Sequence, residues 1–170
     1  ADVMALAGNP LFLIFLVSVD CTQASHATFY TFGALHWQAL GISSISIGVM
    51  WAIAVLAEVA LFAWSQPVIS RYGPVKLLIA GAVAAIARWG IMSFDPPLGF
   101  LMPLQLLHAL TYGATHIAAI HFIARAVPPA AAGTAQALYA SVAAGVIMGA
   151  ATLVSGPLFA AFGGKAYLAP

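Results

Sequence analysis

Leu101–Arg125, LMPLQLLHALTYGATHIAAIHFIAR, decides how this chain is read. A helix needs about 20 mostly apolar residues to cross a bilayer, and this stretch is long enough. It nevertheless carries Gln105, His108, Tyr112, Thr115, His116 and His121. At about 100° per residue, the first five fall within an arc of about 100°, and His121 lies on the other side. Polar groups are costly in hydrocarbon, so such a stripe belongs to a bundle interior or a wet cavity. The spacing predicts a helix that lines a solute path.

The composition agrees. The 170 residues are 64% hydrophobic and 5% charged, with a mean hydropathy of +1.05. A soluble domain carries about 25% charged residues and could not hide this much apolar surface. The expected fold class is an all-α integral membrane protein, with the lipid bilayer as its solvent. A net charge of +1 and the lack of a basic run exclude nucleic acid as a partner. Cys21 is alone and inside a span, which excludes disulfides and thiolate metal sites. The N-terminal ADVMALAGNP has no basic n-region and is not a signal peptide. Its first residue is Ala rather than Met, as expected of a processed or truncated chain. No nucleophile elbow, Walker loop or HExxH occurs, so no enzyme and no cofactor are expected.

Residues 1–170 read as a single transmembrane domain. Helices are expected at about 11–35, 42–66, 75–94, 101–127 and 134–162, with a partial sixth from about 165. Asn9-Pro10, Pro67, Gly73-Pro74, Asp95-Pro96-Pro97, Pro128-Pro129 and Gly163-Gly164 punctuate them. Arg71, Lys76 and Arg125 flank one membrane side and Lys165 the other, which places the N-terminus in the cytoplasm. Ser141, Gly145 and Gly149 on the fifth helix are spaced by four and would admit a close helix neighbour. The third helix, with only Arg88 charged in its span, reads as peripheral and lipid-facing.

Several polar residues stand inside the other spans. Asp20 is near mid-bilayer, with Gln23, His26 and Tyr30 on its face, which makes a second cavity-facing stripe or a packing cluster. Glu58 shares a stripe with Trp51, Phe62 and Ser65. A carboxyl kept out of water is protonated, paired or hydrated, and one that exchanges its proton suits a proton-coupled carrier. A permanent ion pair with Arg88 is the structural alternative. Arg88 needs a partner, for which Glu58, Asp20 and a substrate carboxylate are the candidates. His108 and His116 suit a proton relay, a substrate contact or a metal. Their spacing of eight puts them about two turns apart, so they cannot ligate one metal together, and no haem motif is present. His121 and Arg125 share the opposite face near the helix end. His36 and Trp37 fall in an outer loop, where an aromatic anchor is expected.

DCTQASHATFYTFGALHWQALGISSISIGVMWAIAVLAEVALF, ARWGIM, LQLLHALTYGATHIAAIHFIA and GTAQALYASVAAG together cover most of the chain. They resemble helices seven to eleven of the major facilitator superfamily, in its phenylpropionate permease-like, lactose permease-related branch. The resemblance implies the C-terminal half of a two-half carrier that rocks around a central cavity. It places the first and fourth helices on that cavity and the third at the periphery. It also implies proton coupling through an acid on the eighth helix, an arginine on the ninth and a histidine on the tenth. Glu58, Arg88 and His108 or His116 stand at those places, with Asp20 as a further candidate. Gln23, His26, Tyr30, Trp51, Gln105, Tyr112 and Thr115 are the expected substrate-binding residues. The inter-helix motif departs from the family pattern: SRYGPVK has Ser70 where an acid is usual.

The expected function is thus the C-terminal half of a proton-coupled transporter for a small organic solute, with an aromatic carboxylate in view. It would act in the bacterial inner membrane, with proton and solute as ligands and an N-terminal six-helix half as partner. The alternative is a stand-alone or truncated half-transporter that serves as a structural or assembly subunit of a larger membrane complex.

Overall fold

The computed structural model describes residues 6 and 8–169, so most of the N-terminal stretch tested for a signal peptide lies outside the described residues. Among the described residues, five helices are long and apolar enough to cross a membrane: α1 (Pro10–Ala39), α2 (Ser44–Ala63), α3 (Ser65–Met92), α4 (Leu98–Ala126) and α5 (Pro129–Leu168). No strand occurs among the described residues. The protein is an all-α membrane protein.

Local chemistry sets the helix starts. Asn9 caps α1, its Oδ1 accepting from the Leu11 and Phe12 amides at 3.0 and 3.3 Å, with Pro10 in the first turn. Ser43 caps α2 by accepting from the Ser46 amide at 3.2 Å. The break between the second and third spans differs from the sequence expectation. α2 stops at Ala63, and Pro67 lies in the first turn of α3, where a missing N–H costs nothing. α3 then kinks at Gly73-Pro74, where Gly73 takes φ 73°. At the other end, α1 extends beyond the expected 35 to Ala39. His36 and Trp37 are therefore helical, and Trp37 is buried in the core rather than anchored in a loop.

The core has two main apolar clusters. One joins the first half of α1 to the end of α4 and the start of α5 through Phe12, Phe15, Leu16, Val19, Ala119, Ile123, Ala135 and Tyr139. The other joins the second half of α1 to α2, α3 and the start of α4 through Phe29, Trp37, Met50, Trp89 and Leu101. Along α1 and α4, the polar residues fall between these clusters. Outward faces are apolar: Val55, Leu56 and Val59 on α2, Ile79, Val83 and Ile86 on α3, and Leu153 and Val154 on α5 are exposed. α3 thus has one exposed apolar side, and Arg88 is on its other, fully buried side.

Three helices lose regularity at the level of the polar residues. α1 has an irregular turn at Ser25 and His26 between its two α-helical parts. Nearby, Thr22 and Ser25 hydroxyls donate back to the Ser18 and Thr22 carbonyls at 2.9 and 2.7 Å, a habit that bends helices. α4 passes through a 3₁₀ turn at Gln105–Leu107 and a π-helical turn at Ala109–Ala114. α5 is π-helical over Ser141–Ile147. The small-residue stripe on α5 does not mark a close approach among the described residues, since a Cβ on Gly145 or Gly149 would meet nothing within 4 Å. The residues from 165, where a partial sixth helix was expected, belong to a 3₁₀ stretch at Gly163–Leu168, and Tyr167 within it is buried.

Candidate functional site

Arg88 is the centre of the polar set. It is fully buried, and its guanidinium lies 4.8 Å from the Phe29 ring centroid and 4.7 Å from that of Trp89. Flat cations stack well on aromatic faces. Its hydrogen-bond partners are all neutral side chains: Nη2 donates to Gln105 Oε1 at 2.9 Å, and Nη1 donates to Thr111 Oγ1 and to His108 Nδ1, each at 3.2 Å. Neither Glu58 nor Asp20 touches it, so the direct ion pair considered from sequence is not formed.

Glu58 reaches Arg88 through His108. Its Oε2 lies 3.3 Å from His108 Nε2. A guanidinium has donors only, so His108 Nδ1 must accept, and the ring hydrogen must sit on Nε2, facing the carboxylate. This fixes both the tautomer and a neutral ring: a second ring proton would point at Arg88. Gly113 brings Glu58 this close to α4. A Cβ there would lie 3.3 Å from Glu58 Cγ and 3.2 Å from Leu61 Cδ2, so a larger residue would displace these side chains.

A second branch leaves Arg88 through Thr111. The hydroxyl accepts from Arg88 and is 2.9 Å from His26 Nε2, while His26 Nδ1 is 3.1 Å from the Gln23 carbonyl. That carbonyl can only accept, so His26 donates from Nδ1 and Thr111 donates to Nε2. Every hydrogen bond then has one consistent direction, outward from Arg88, and the His108–Glu58 contact extends the first branch. His26 also meets the Trp89, His108 and Tyr112 rings edge-on at 5.0–5.9 Å between centroids.

Beside this network is a cavity of about 270 Å³ lined by Gln23, Tyr30, Tyr112, His116, Tyr139, Ala140 and Met148. His108, Tyr112 and His116 stack in a row, with centroids 5.4 and 6.4 Å apart, and lead from the arginine to the cavity. His116 Nδ1 and the Tyr139 hydroxyl are 3.2 Å apart.

Of the residues named from sequence, Glu58, Arg88, His108, Gln105 and His26 come together around the network, and Gln23, Tyr30, Tyr112 and His116 at the cavity. Trp51 packs behind them, stacked on Phe29 at 4.7 Å. Asp20 is buried apart, with neither oxygen partnered among the described residues. Thr115 does not join the cavity wall: it is buried, and its hydroxyl donates back to the Leu110 carbonyl at 3.3 Å and lies against Gly81 of α3. The extra residue in the π turn rotates the rest of α4 relative to a regular α-helix. His121 is on another face, as expected, bonded to the Ile117 carbonyl at 2.9 Å. At one end of the bundle His36 Nε2 pairs with Asp95 Oδ1 at 2.6 Å. Among the described residues, no group of three or more His, Cys, Asp or Glu is placed to hold a metal.

Thr111 and Tyr139 were not foreseen. With regular α geometry carried through the π turn, Thr111 falls about 40° outside the polar arc of α4. Tyr139 precedes a stretch of small residues that drew the reading toward packing.

The sequence profile of the MFS_1 like family matches residues 1–169. The chain belongs to the major facilitator superfamily. It is 36% identical, over 145 residues, to the probable 3-phenylpropionic acid transporter of Escherichia coli strain K12, covering 85% of this chain and 38% of that protein. It is 29% identical, over 157 residues, to the maltose permease of Geobacillus stearothermophilus, covering 92% of this chain and 40% of the permease. An uncharacterized transporter of Bacillus subtilis strain 168, YwbF, is 24% identical over 154 residues, 91% of this chain and 39% of that protein. The chain therefore spans about two fifths of the length of these superfamily relatives. No solved structure matches it significantly. Five spanning helices with a polar interior fit half of a major facilitator fold.

Proposed function

We propose that this chain is the C-terminal half of a proton-coupled secondary transporter for a small organic solute, with an aromatic carboxylate as the substrate class. One observation carries the reading: a buried arginine meets a carboxylate only through a neutral histidine, beside an aromatic cavity. With Glu58 ionised, its charge offsets that of Arg88 across His108. A proton on Glu58 removes that offset and leaves the arginine field uncompensated. An anion entering next to the His108–Tyr112–His116 row then restores neutrality. Proton and carboxylate each favour binding of the other, and such linkage is reciprocal. Ordered co-loading of this kind is what symport requires.

The cavity supports the choice of solute. Three tyrosine rings and one histidine against a single amide favour a flat ring with one anionic end over a sugar with many hydroxyls. The 3-phenylpropionic acid named for the E. coli relative is of that class. In this reading the bilayer is a bacterial inner membrane, the N-terminus is cytoplasmic, and an N-terminal six-helix half supplies the opposite cavity wall.

Glu58→Gln in the full-length protein tests the mechanism. The amide fills the same space but cannot exchange a proton. Proton-driven accumulation of radiolabelled 3-phenylpropionate should be lost, while exchange of internal for external solute persists. Undiminished uphill uptake would refute the coupling role.

A further inference from the structure

On α1, three buried oxygens lack a hydrogen-bond donor. Asp20 is fully buried, and neither Oδ1 nor Oδ2 has a partner among the described residues. Gln23, three residues on, is 5% exposed, and its Oε1 is unpartnered too. Buried polar groups almost always find partners, because leaving one unmade costs far more than a bond gains. Here the unmet groups are all acceptors, so what is missing is hydrogen.

The surroundings limit where that hydrogen comes from. Leu16 and Val19, next to Asp20 on α1, are packed against Ala119 and Ile123 of α4 and Ala135 and Tyr139 of α5. Of the titratable groups on those elements, Tyr139 faces both Gln23 and Asp20 while its hydroxyl is 3.2 Å from His116 Nδ1, and His121 bonds the Ile117 carbonyl. The unmet atoms have essentially no accessible surface, which leaves no room for a water or a hydrated cation. Asp20 is buried by these five helices alone, so no group from outside them can reach it unless they part. A proton needs no space. Placed on Asp20, it turns an acceptor into a donor one turn from Gln23 Oε1, and residues three apart on a helix are neighbours.

We propose that Asp20 is a second proton site, separate from Glu58, loaded and emptied when α1 parts from α4 and α5 during the transport cycle. No hydrogen bond links Asp20 to the Glu58–His108–Arg88 set among the described residues. Loading both sites in each cycle moves two protons per solute. This rests on the proton-coupled function proposed for the chain and adds the stoichiometry.

The test is the accumulation ratio in proteoliposomes that contain the full-length protein. The membrane potential is clamped at zero and 3-phenylpropionate is the probe. With a tenfold proton gradient, two coupled protons sustain about 100-fold accumulation and one sustains about tenfold. Wild type should approach the first figure and Asp20→Asn the second. Asp20→Asn with undiminished accumulation, or wild type that stops near tenfold, overturns the second site and leaves single-proton coupling in place. Wild type that equilibrates solute without accumulating it overturns the coupling reading and this inference together. Infrared spectroscopy adds a readout independent of transport and of the asparagine variant folding. In Glu58→Gln protein at neutral pH, a protonated-carboxyl band should be present, and it should shift in the Asp20→Glu, Glu58→Gln double variant. A band that does not respond to substitution at position 20 overturns the assignment.

Discussion

Replacing Gly81 by alanine tests whether close packing of α3 on α4 holds Arg88 in place. The added Cβ would lie 2.9 Å from the Leu110 carbonyl oxygen and closer still to Thr115 Oγ1. The carbonyl is helix backbone and cannot rotate away, so the helices must separate by about 0.5 Å to restore ordinary contact. Overpacking of this kind costs about 1–3 kcal/mol. Thr115 must also turn its hydroxyl from the Leu110 carbonyl, now 3.3 Å away, for about 0.5–1.5 kcal/mol more. Alanine returns about 1 kcal/mol through its better helix propensity. The net expectation is a destabilisation of about 0.5–3.5 kcal/mol, read by thermal unfolding in detergent. Arg88 is seven residues along α3, about 10 Å from the strain. Its hydrogen bonds to Gln105 and His108, at 2.9 and 3.2 Å, loosen when the helices part, and proton-driven uptake should fall with stability. Thr115→Ala in the same background removes one of the two obstacles and should recover part of the loss. Gly81→Ala protein at least as stable as wild type would refute the close α3–α4 contact. A double variant no better than the single would refute the role of the hydroxyl.

Thr111→Val keeps the shape but removes the acceptor for Arg88 and the donor to His26, which should cost about 1–3 kcal/mol, whereas Thr111→Ser should restore both stability and the pH profile of uptake. Valine and serine variants that behave alike would show that the second branch has no role. At the end of the bundle, Asp95 takes φ 49° and its side chain is 38% exposed. Asp95→Asn weakens only a partly solvated contact with His36, at about 0.2–1 kcal/mol. Asp95→Ala also places an unsuited residue in a left-handed conformation, adding about 1–2 kcal/mol. Denaturant titration of the two variants checks the order, and alanine as stable as asparagine would refute it.

Each feature was legible in the sequence to the extent that its signal survives irregular helix geometry. The class of protein depends on composition alone, and 5% charged residues admit no soluble alternative. That α4 would carry a polar wall also came through, because Gln105, His108, Tyr112 and His116 lie close enough together for a modest phase error not to scatter them. Thr115 and Thr111 exchanged roles because a constant angle per residue was carried across a 3₁₀ turn followed by a π turn. Nothing in GATH or ALTY announces those turns. The partners of Arg88 were illegible for a different reason. Sequence names the charges that could neutralise a buried arginine, but whether a histidine stands between them depends on helix rotation and on Gly113 drawing α2 inward.

The neutral shell around Arg88 has a physical rationale beyond its family resemblance. A buried ion pair with Glu58 in direct contact would be a deep trap, since breaking it leaves two uncompensated charges in low dielectric. A histidine between them weakens the attraction by distance. The carboxylate can then gain or lose a proton without the guanidinium moving, held as it is by Gln105, Thr111 and the Phe29 and Trp89 rings. Under the proposed coupling, a rigid cation beside a carboxyl that exchanges its proton is the arrangement in which solute charge and proton occupancy trade directly. The same logic explains why irregular turns gather here: regular helices would satisfy their own backbones and point fewer side chains and carbonyls, such as that of Gln23, at one place.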